Sequence, residues 1–209
     1  MSKASGPPGR RGHKNPAAGK PDVRASARQG DTIVLGLDPG TLVTGYGIVA
    51  RRGNEMMLVE YGTIRNEAES TMAARLQLIH ANLAELIARY HPVEFAIESA
   101  FYGKNAQSAL KLGHARGVSI LAAVQAGLAT SEYSPREVKK AIVGTGTASK
   151  EQVRYMVCSL LRIRDGAVPL DASDALAVAI CHLHSLSPDR SRHRDWASYV
   201  AAHPERVAR

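Results

Sequence analysis

Asp38, Glu98, Asp171 and Asp174 are the residues of this 209-residue chain whose types and settings could do chemistry. Asp38 closes the apolar run Ile33-Val-Leu-Gly-Leu37 and is followed by Pro39-Gly40. Glu98 follows Phe95-Ala-Ile97, and the last two acids belong to Asp171-Ala-Ser-Asp-Ala-Leu176. Each falls where a strand is expected to end or a helix to begin, and such termini can bring distant acids together. Carboxylates gathered without a matching set of cations repel one another unless divalent ions lie between them. The chemistry this implies is a Mg²⁺ site acting on phosphate. Each acid also has an ordinary structural role open to it. Asp-Pro-Gly is a turn signal, Asp171 could cap a helix, Asp174 could face the helix dipole, and Glu98 could be a solvated strand-end charge. The four together are harder to explain that way, because Glu98 adjoins a wholly apolar segment where an unpaired charge is unfavourable.

The elements that must position these acids can be read from periodicity. Ile33–Leu37 and Thr44–Ala50 are expected strands joined by a Pro-Gly turn, and Met56–Arg65 is a third, which together suggest an antiparallel meander. Met72, Leu76, Ile79, Leu83, Leu86 and Ile87 follow helical spacing between Ser70, the expected N-cap, and Tyr90. Val93–Glu98 is an expected strand, Asn105–Gln125 a long helix capped by Asn105, and Leu128–Tyr133 another strand. Ser149-Lys-Glu-Gln152 is a capping box opening a further helix, and Asp171 is expected to open the last. The order βββαβαβ followed by helices predicts an α/β domain with a mixed five-stranded sheet. It places Asp38 and Glu98 at the carboxyl ends of their strands, where sites form in such sheets. Asp171 and Asp174, three apart, share one helix face. If that helix packs beside the first strand, all four acids can meet.

Composition bounds the rest. At 44% hydrophobic and 5% aromatic residues, the core must be built from Ala, Val, Leu and Ile. No stretch approaches the ~20 apolar residues of a membrane span, and no secretory signal is visible, so no membrane partner and a cytoplasmic location are expected. Cys158 and Cys181 lack metal-type spacing and are expected to be reduced packing residues. The net charge of +8 is uneven: residues 1–30 hold seven Lys/Arg against Asp22, and residues 187–209 hold five Arg against three acids. Residues 31–186 therefore sum to zero, and the basic character belongs to the two tails. The expected layout is a disordered basic tail over 1–30, a single catalytic domain over 31–186 and a C-terminal tail over 187–209.

Longer motifs carry a resemblance. Ile33-Val-Leu-Gly-Leu-Asp-Pro-Gly-Thr-Leu-Val-Thr-Gly-Tyr-Gly47, Ala96-Ile-Glu-Ser-Ala-Phe101, Lys104-Asn-Ala-Gln-Ser-Ala-Leu-Lys-Leu-Gly113, Ala115-Arg-Gly117 and Asp171-Ala-Ser-Asp-Ala-Leu-Ala177 resemble the RuvC family of bacterial Holliday-junction resolvases. The resemblance covers residues 33–186. It implies a ribonuclease H-like fold, a homodimer, and Mg²⁺-dependent nicking of two symmetrically placed strands of a four-way DNA junction. It also implies the RuvA and RuvB branch-migration proteins as partners. Asp38, Glu98, Asp171 and Asp174 fall on the family's four acidic positions, although some relatives carry His where this chain has Asp171. The two tails depart from the family pattern.

Phosphodiester hydrolysis needs a nucleophilic hydroxide and a stabilised leaving oxygen, which two metal ions about 4 Å apart supply together. Four carboxylates match the charge of two Mg²⁺ ions, with Mn²⁺ as a substitute. The expected partition has Asp38 bridging, Glu98 on one ion, and Asp171 with Asp174 on the other. DNA contacts must come from elsewhere, since the metal-free acids repel phosphate. Phe101, Tyr102 and Lys104 form an aromatic pair and a cation on an expected flexible loop. By resemblance Phe101 matches a position that stacks on junction bases. Lys139 and Lys150 match basic positions near the scissile strand, while Lys111 and Arg116 are candidate phosphate contacts. Gly113 and Gly117 permit close helix approach, and the family resemblance assigns that approach to the dimer. Two alternatives stand beside this reading. Asp38-Pro-Gly-Thr41 with Gly45 also resembles the phosphate loop of the actin, sugar-kinase and Hsp70 group, but the chain is too short for that group's second domain. A junction-binding protein without catalysis would need the basic tails and the loop aromatic, but not four acids.

Overall fold

The computed structural model describes residues 30–68, 70–99, 106–164 and 168–186. The two tails, as well as Phe101, Tyr102 and Lys104, lie outside the described residues. Five strands and five helices follow in the order β1 (Thr32–Asp38), β2 (Val43–Arg52), β3 (Glu55–Arg65), α1 (Met72–Tyr90), β4 (Glu94–Glu98), α2 (Ala106–Gln125), β5 (Ala129–Tyr133), α3 (Pro135–Val143), α4 (Lys150–Leu160) and α5 (Leu170–Ser185). They form one mixed sheet in the order β3-β2-β1-β4-β5. The meander β1-β2-β3 is antiparallel, while β4 pairs parallel to β1 and β5 parallel to β4.

Side-chain alternation along the strands sorts the residues onto two faces. Ile33, Leu35 and Leu37 of β1, with Phe95 and Ile97 of β4, pack against Ile79, Leu83 and Ile87 of α1 and Ala115, Ala122 and Ala123 of α2. The opposite parity, Val34 and Ala96, faces α3, α4 and α5. Asp38 and Glu98 share that second parity and so point toward α5. This is the apolar alternation that the sequence displays, now with a handed consequence for the acids.

Helix α5 is buried nearly all round, from Ala172 to Leu183, as expected of a helix apolar on every side. It lies between the sheet and the pair α3 and α4. Glycines let it descend onto the strands. A Cβ on Gly36 would stand 2.3 Å from the carbonyl oxygen of Ala175, and one on Gly45 would stand 1.9 Å from that of Asp171. Gly within a strand here marks a close backbone approach. The helix crosses the sheet obliquely: Asp171 over Gly45 of β2, Ala175 and Ala179 over Gly36 of β1, and His182 beside Tyr133 of β5, where Tyr133 Oη lies 2.8 Å from His182 Nδ1. Arg51 fastens the far end by donating to the Leu183 carbonyl at 2.7 Å.

Local signals differ from expectation in three places. Helix α1 is capped by Thr71, whose hydroxyl accepts from the Ala74 amide at 3.2 Å, and not by Ser70, which stands one residue too far back for that reach. Helix α5 begins at Leu170 after Pro169, so Asp171 sits inside its first turn and makes no cap. Asn105, the expected cap of α2, lies outside the described residues. Helix α3 has no counterpart among the expected elements, although Ser134-Pro-Arg-Glu137 spells a capping box with Pro at the first turn. The box at Ser149 and Gln152 opens α4 as read. Cys158 and Cys181 are buried and form no disulfide. Among the described residues no helix is long and apolar enough to cross a membrane.

Candidate active site

Register determines where the first two acids meet. Leu37 of β1 pairs with Ile97 of β4, and one residue further along both parallel strands brings Asp38 beside Glu98 on the α5 face. Helix α5 then carries Asp174 over the same strand ends. Asp38, Glu98 and Asp174 line one cavity of about 250 Å³, together with Lys139 of α3, Lys150 of α4, and an apolar wall of Pro135, Val138, Val153 and Ala177. Asp171 does not line it. Its backbone nonetheless lies over Gly45, the cross-strand partner of Asp38, and its charge acts on Asp38.

The electrostatics are those of gathered anions in a partly dry setting. Burial, then the charges of Glu98, Asp174 and Asp171, push the Asp38 carboxyl up from 3.8 to about 7, with Lys150 opposing. Burial and the Asp174 charge likewise raise Glu98, against Lys150 and Lys139. Lys150 supplies the local counter-charge. Its Nζ donates to Asp174 Oδ2 at 3.1 Å, and this bond, the Asp174 charge and the nearby Asp38 and Glu98 raise its own pKa. Among the described residues no three His, Cys, Asp or Glu side chains are grouped closely enough to hold an ion as they stand. The donor set itself is all carboxylate oxygen, the ligand type of Mg²⁺, Ca²⁺ and Mn²⁺.

The cations expected from sequence separate into two groups. Lys139 and Lys150 flank the acids. Lys111 and Arg116 do not, because both lie on α2, across the sheet. Lys111 is exposed, and Arg116 pairs with Glu132 of β5 at 2.8 Å. Sequence reading assigned no packing role to the strand glycines Gly36, Gly45 and Gly47, although the every-second-residue spacing of Gly45 and Gly47 in β2 was an available signal. It also overlooked Thr44 and Asn66, which hold the loop after Asp38 and which no local pattern marks.

A three-stranded antiparallel meander extended by two parallel strands, with acids at the ends of β1 and β4 and on a helix crossing them, defines a ribonuclease H-like protein. The family profile described as crossover junction endodeoxyribonuclease RuvC matches residues 34–182. The Photobacterium profundum crossover junction endodeoxyribonuclease RuvC is 52% identical over 154 residues, covering 74% of this chain and 88% of that protein. Its Chloroherpeton thalassium counterpart is 44% identical over 185 residues, covering 85% of this chain and all of the other. The structure of Thermus thermophilus RuvC in complex with Holliday junction substrate superimposes with a TM-score of 0.70 at 33% identity, covering 73% of this chain and 93% of that one. The yeast mitochondrial Holliday junction resolvase, at 11% identity and a TM-score of 0.53, shares the fold. This chain belongs to the RuvC family.

Proposed function

We propose that this chain resolves four-way DNA junctions by paired, symmetric phosphodiester hydrolysis, with Asp38, Glu98, Asp171 and Asp174 holding two Mg²⁺ ions in each active site. The observation that carries the reading is the convergence of Asp38, Glu98 and Asp174 on one cavity flanked by Lys139 and Lys150. Family membership supplies the reaction class, a metal-dependent endonuclease acting on DNA. The residues fit a hard divalent cation, since the donors are carboxylates and Asp38 lies in a field that disfavours its own charge until positive charge arrives. Bound there, the ions would activate water and stabilise the leaving oxygen. Mn²⁺ would substitute.

The chain's own residues divide the remaining work. Asp38, beside Glu98 and under α5, would hold the ions together with Glu98, Asp171 and Asp174. Lys139 and Lys150 offer positive charge for the backbone phosphate that must enter between the acids. By resemblance Phe101, with Tyr102 and Lys104, would meet the unpaired bases of an opened junction.

Two cuts placed symmetrically call for two sites, and α2 offers a surface for a homodimer. Leu110, Leu121 and Val124 are exposed on one face of that helix, with Gly113 and Gly117 among them and nothing near where their Cβ atoms would be. An uncovered apolar face lined by small residues fits self-association about a twofold axis. RuvA and RuvB as partners and a cytoplasmic setting rest on the family resemblance.

The deciding experiment is a nicking assay on a synthetic four-way junction with and without Mg²⁺, run beside an ATP hydrolysis assay. Paired nicks that require the metal, without ATP turnover, are expected. Metal-independent binding without nicking would leave a junction-binding protein, and ATP hydrolysis would favour the actin-like alternative.

A further inference from the structure

The loop of residues 39–42, which leads out of Asp38 into β2, is held at three consecutive carbonyls. The Thr44 hydroxyl donates to Gly40 O at 2.6 Å and accepts from the Gly40 amide at 3.4 Å. The Asn66 side-chain amide donates to Thr41 O at 3.0 Å, and the Asn66 backbone amide donates to Leu42 O at 2.8 Å. The last of these extends the β2–β3 ladder by one rung, while the side chains of Thr44 and Asn66 add ties to a loop whose backbone Pro39 already restricts.

Thr44 is also out of place as a packing residue. It is wholly buried, on the strand parity of Tyr46, Ile48 and Ala50 that faces the apolar contact with α1 and α2. Val has the same branched shape and would leave no hydroxyl to satisfy, whereas a buried hydroxyl must find a partner. The partner it finds is the loop. On the opposite face of the sheet, at the adjoining end of β1, Glu98, Asp174 and Asp171 all repel Asp38. Repulsion of that kind drives an unrestrained strand terminus outward, away from the cavity.

We infer that Thr44 and Asn66 are positioning residues that clamp loop 39–42, so that Asp38 stays at the cavity where a divalent cation is to be bound. The inference rests on the metal reading of the preceding subsection. Groups that orient metal ligands from behind typically change affinity by about 10- to 100-fold when removed. A purely structural role would lower the melting temperature and leave the affinity of the folded protein alone.

The test is calorimetric titration of the full chain with Mn²⁺ in the absence of DNA, beside thermal melting in chelator. Thr44→Val is expected to weaken Mn²⁺ binding by roughly tenfold while remaining folded at the titration temperature. Thr44→Ser, which keeps the hydroxyl, is expected to restore binding to within about threefold of wild type. Asn66→Ala removes one tie from a half-buried site and is expected to weaken binding as well; it carries the test if Thr44→Val does not fold. Wild-type affinity in the folded Thr44→Val protein, or in Asn66→Ala when that variant stands in, overturns the clamp. So does an equal loss in Thr44→Ser and Thr44→Val, which would assign the effect to packing. A wild-type chain that takes up no Mn²⁺ overturns the metal reading itself, a result distinguishable from uptake that ignores the clamp.

Discussion

Asp38 concentrates the electrostatic tension of the site, and the consequences are measurable at that residue. Asp38→Asn and Glu98→Gln are each expected to reduce junction nicking at saturating Mg²⁺ to below about one-tenth of wild type, because each removes a proposed metal ligand. Junction binding in chelator is expected to hold or tighten, since a negative charge facing phosphate is lost; a gel-shift titration beside the nicking assay checks both. Asp38→Asn should also stabilise the metal-free protein. A carboxyl whose pKa rises from 3.8 to about 7 on folding leaves stability intact below the lower value and removes it progressively as pH climbs through the upper one. The melting temperature of Asp38→Asn is therefore expected to exceed wild type by on the order of 5 °C at pH 8 in chelator, and the gap to close toward pH 4. A gap that stays constant with pH would place its cause elsewhere.

At the scale of elements, α5 decides whether a site exists. Its descent onto β1 depends on Gly36, where an added Cβ would meet the Ala175 carbonyl at 2.3 Å and the Ala179 amide nitrogen at 2.7 Å. Backbone atoms cannot swing aside as a side chain can. Gly36→Val is expected to cost about 3 kcal/mol or more, visible as a fall of roughly 10 °C in melting temperature, with nicking lost as Asp174 is displaced. Helix α2 has a different part. Placing charge on its uncovered face, as in Leu121→Glu with Val124→Glu, is expected to leave each protomer folded while converting the proposed dimer to monomer in sedimentation. Nicking at the two strands should then lose its pairing.

At the scale of the whole molecule, the charge is carried by the ends of the chain. Residues 1–30 hold seven Lys/Arg and one acid, whereas residues 31–186 are balanced. Charge of that kind draws DNA by counterion release and reads neither bases nor junction shape. Deleting residues 1–30 is expected to preserve junction cleavage at low salt and to weaken binding to plain duplex. The slope of log affinity against log salt should become shallower by up to about 5. Titrating both proteins against duplex and junction at several salt concentrations checks this, and loss of junction selectivity on truncation would make the tail part of the recognition surface.

The sequence by itself determined what is local. The acids at strand ends, the apolar alternation of β1 and β4, the periodicity of α1 and the capping box of α4 all lie within a few residues of the features they predict, so short-range chemistry suffices to read them. It also placed Lys139 and Lys150 near the acids by resemblance. What only the tertiary structure decided depends on contacts between distant segments. The parallel register of β1 on β4 joins residues some sixty positions apart and sets Asp38 beside Glu98. The oblique crossing of α5 brings Asp174 to the cavity and Asp171 over Gly45, the residue that pairs with Asp38. Arg116 turns to Glu132, Lys150 to Asp174, and Thr44 to the loop behind Asp38. None of these could be read in advance, because a side chain's partner is chosen by where the backbone of another element comes to rest, and that follows from packing summed over the whole core.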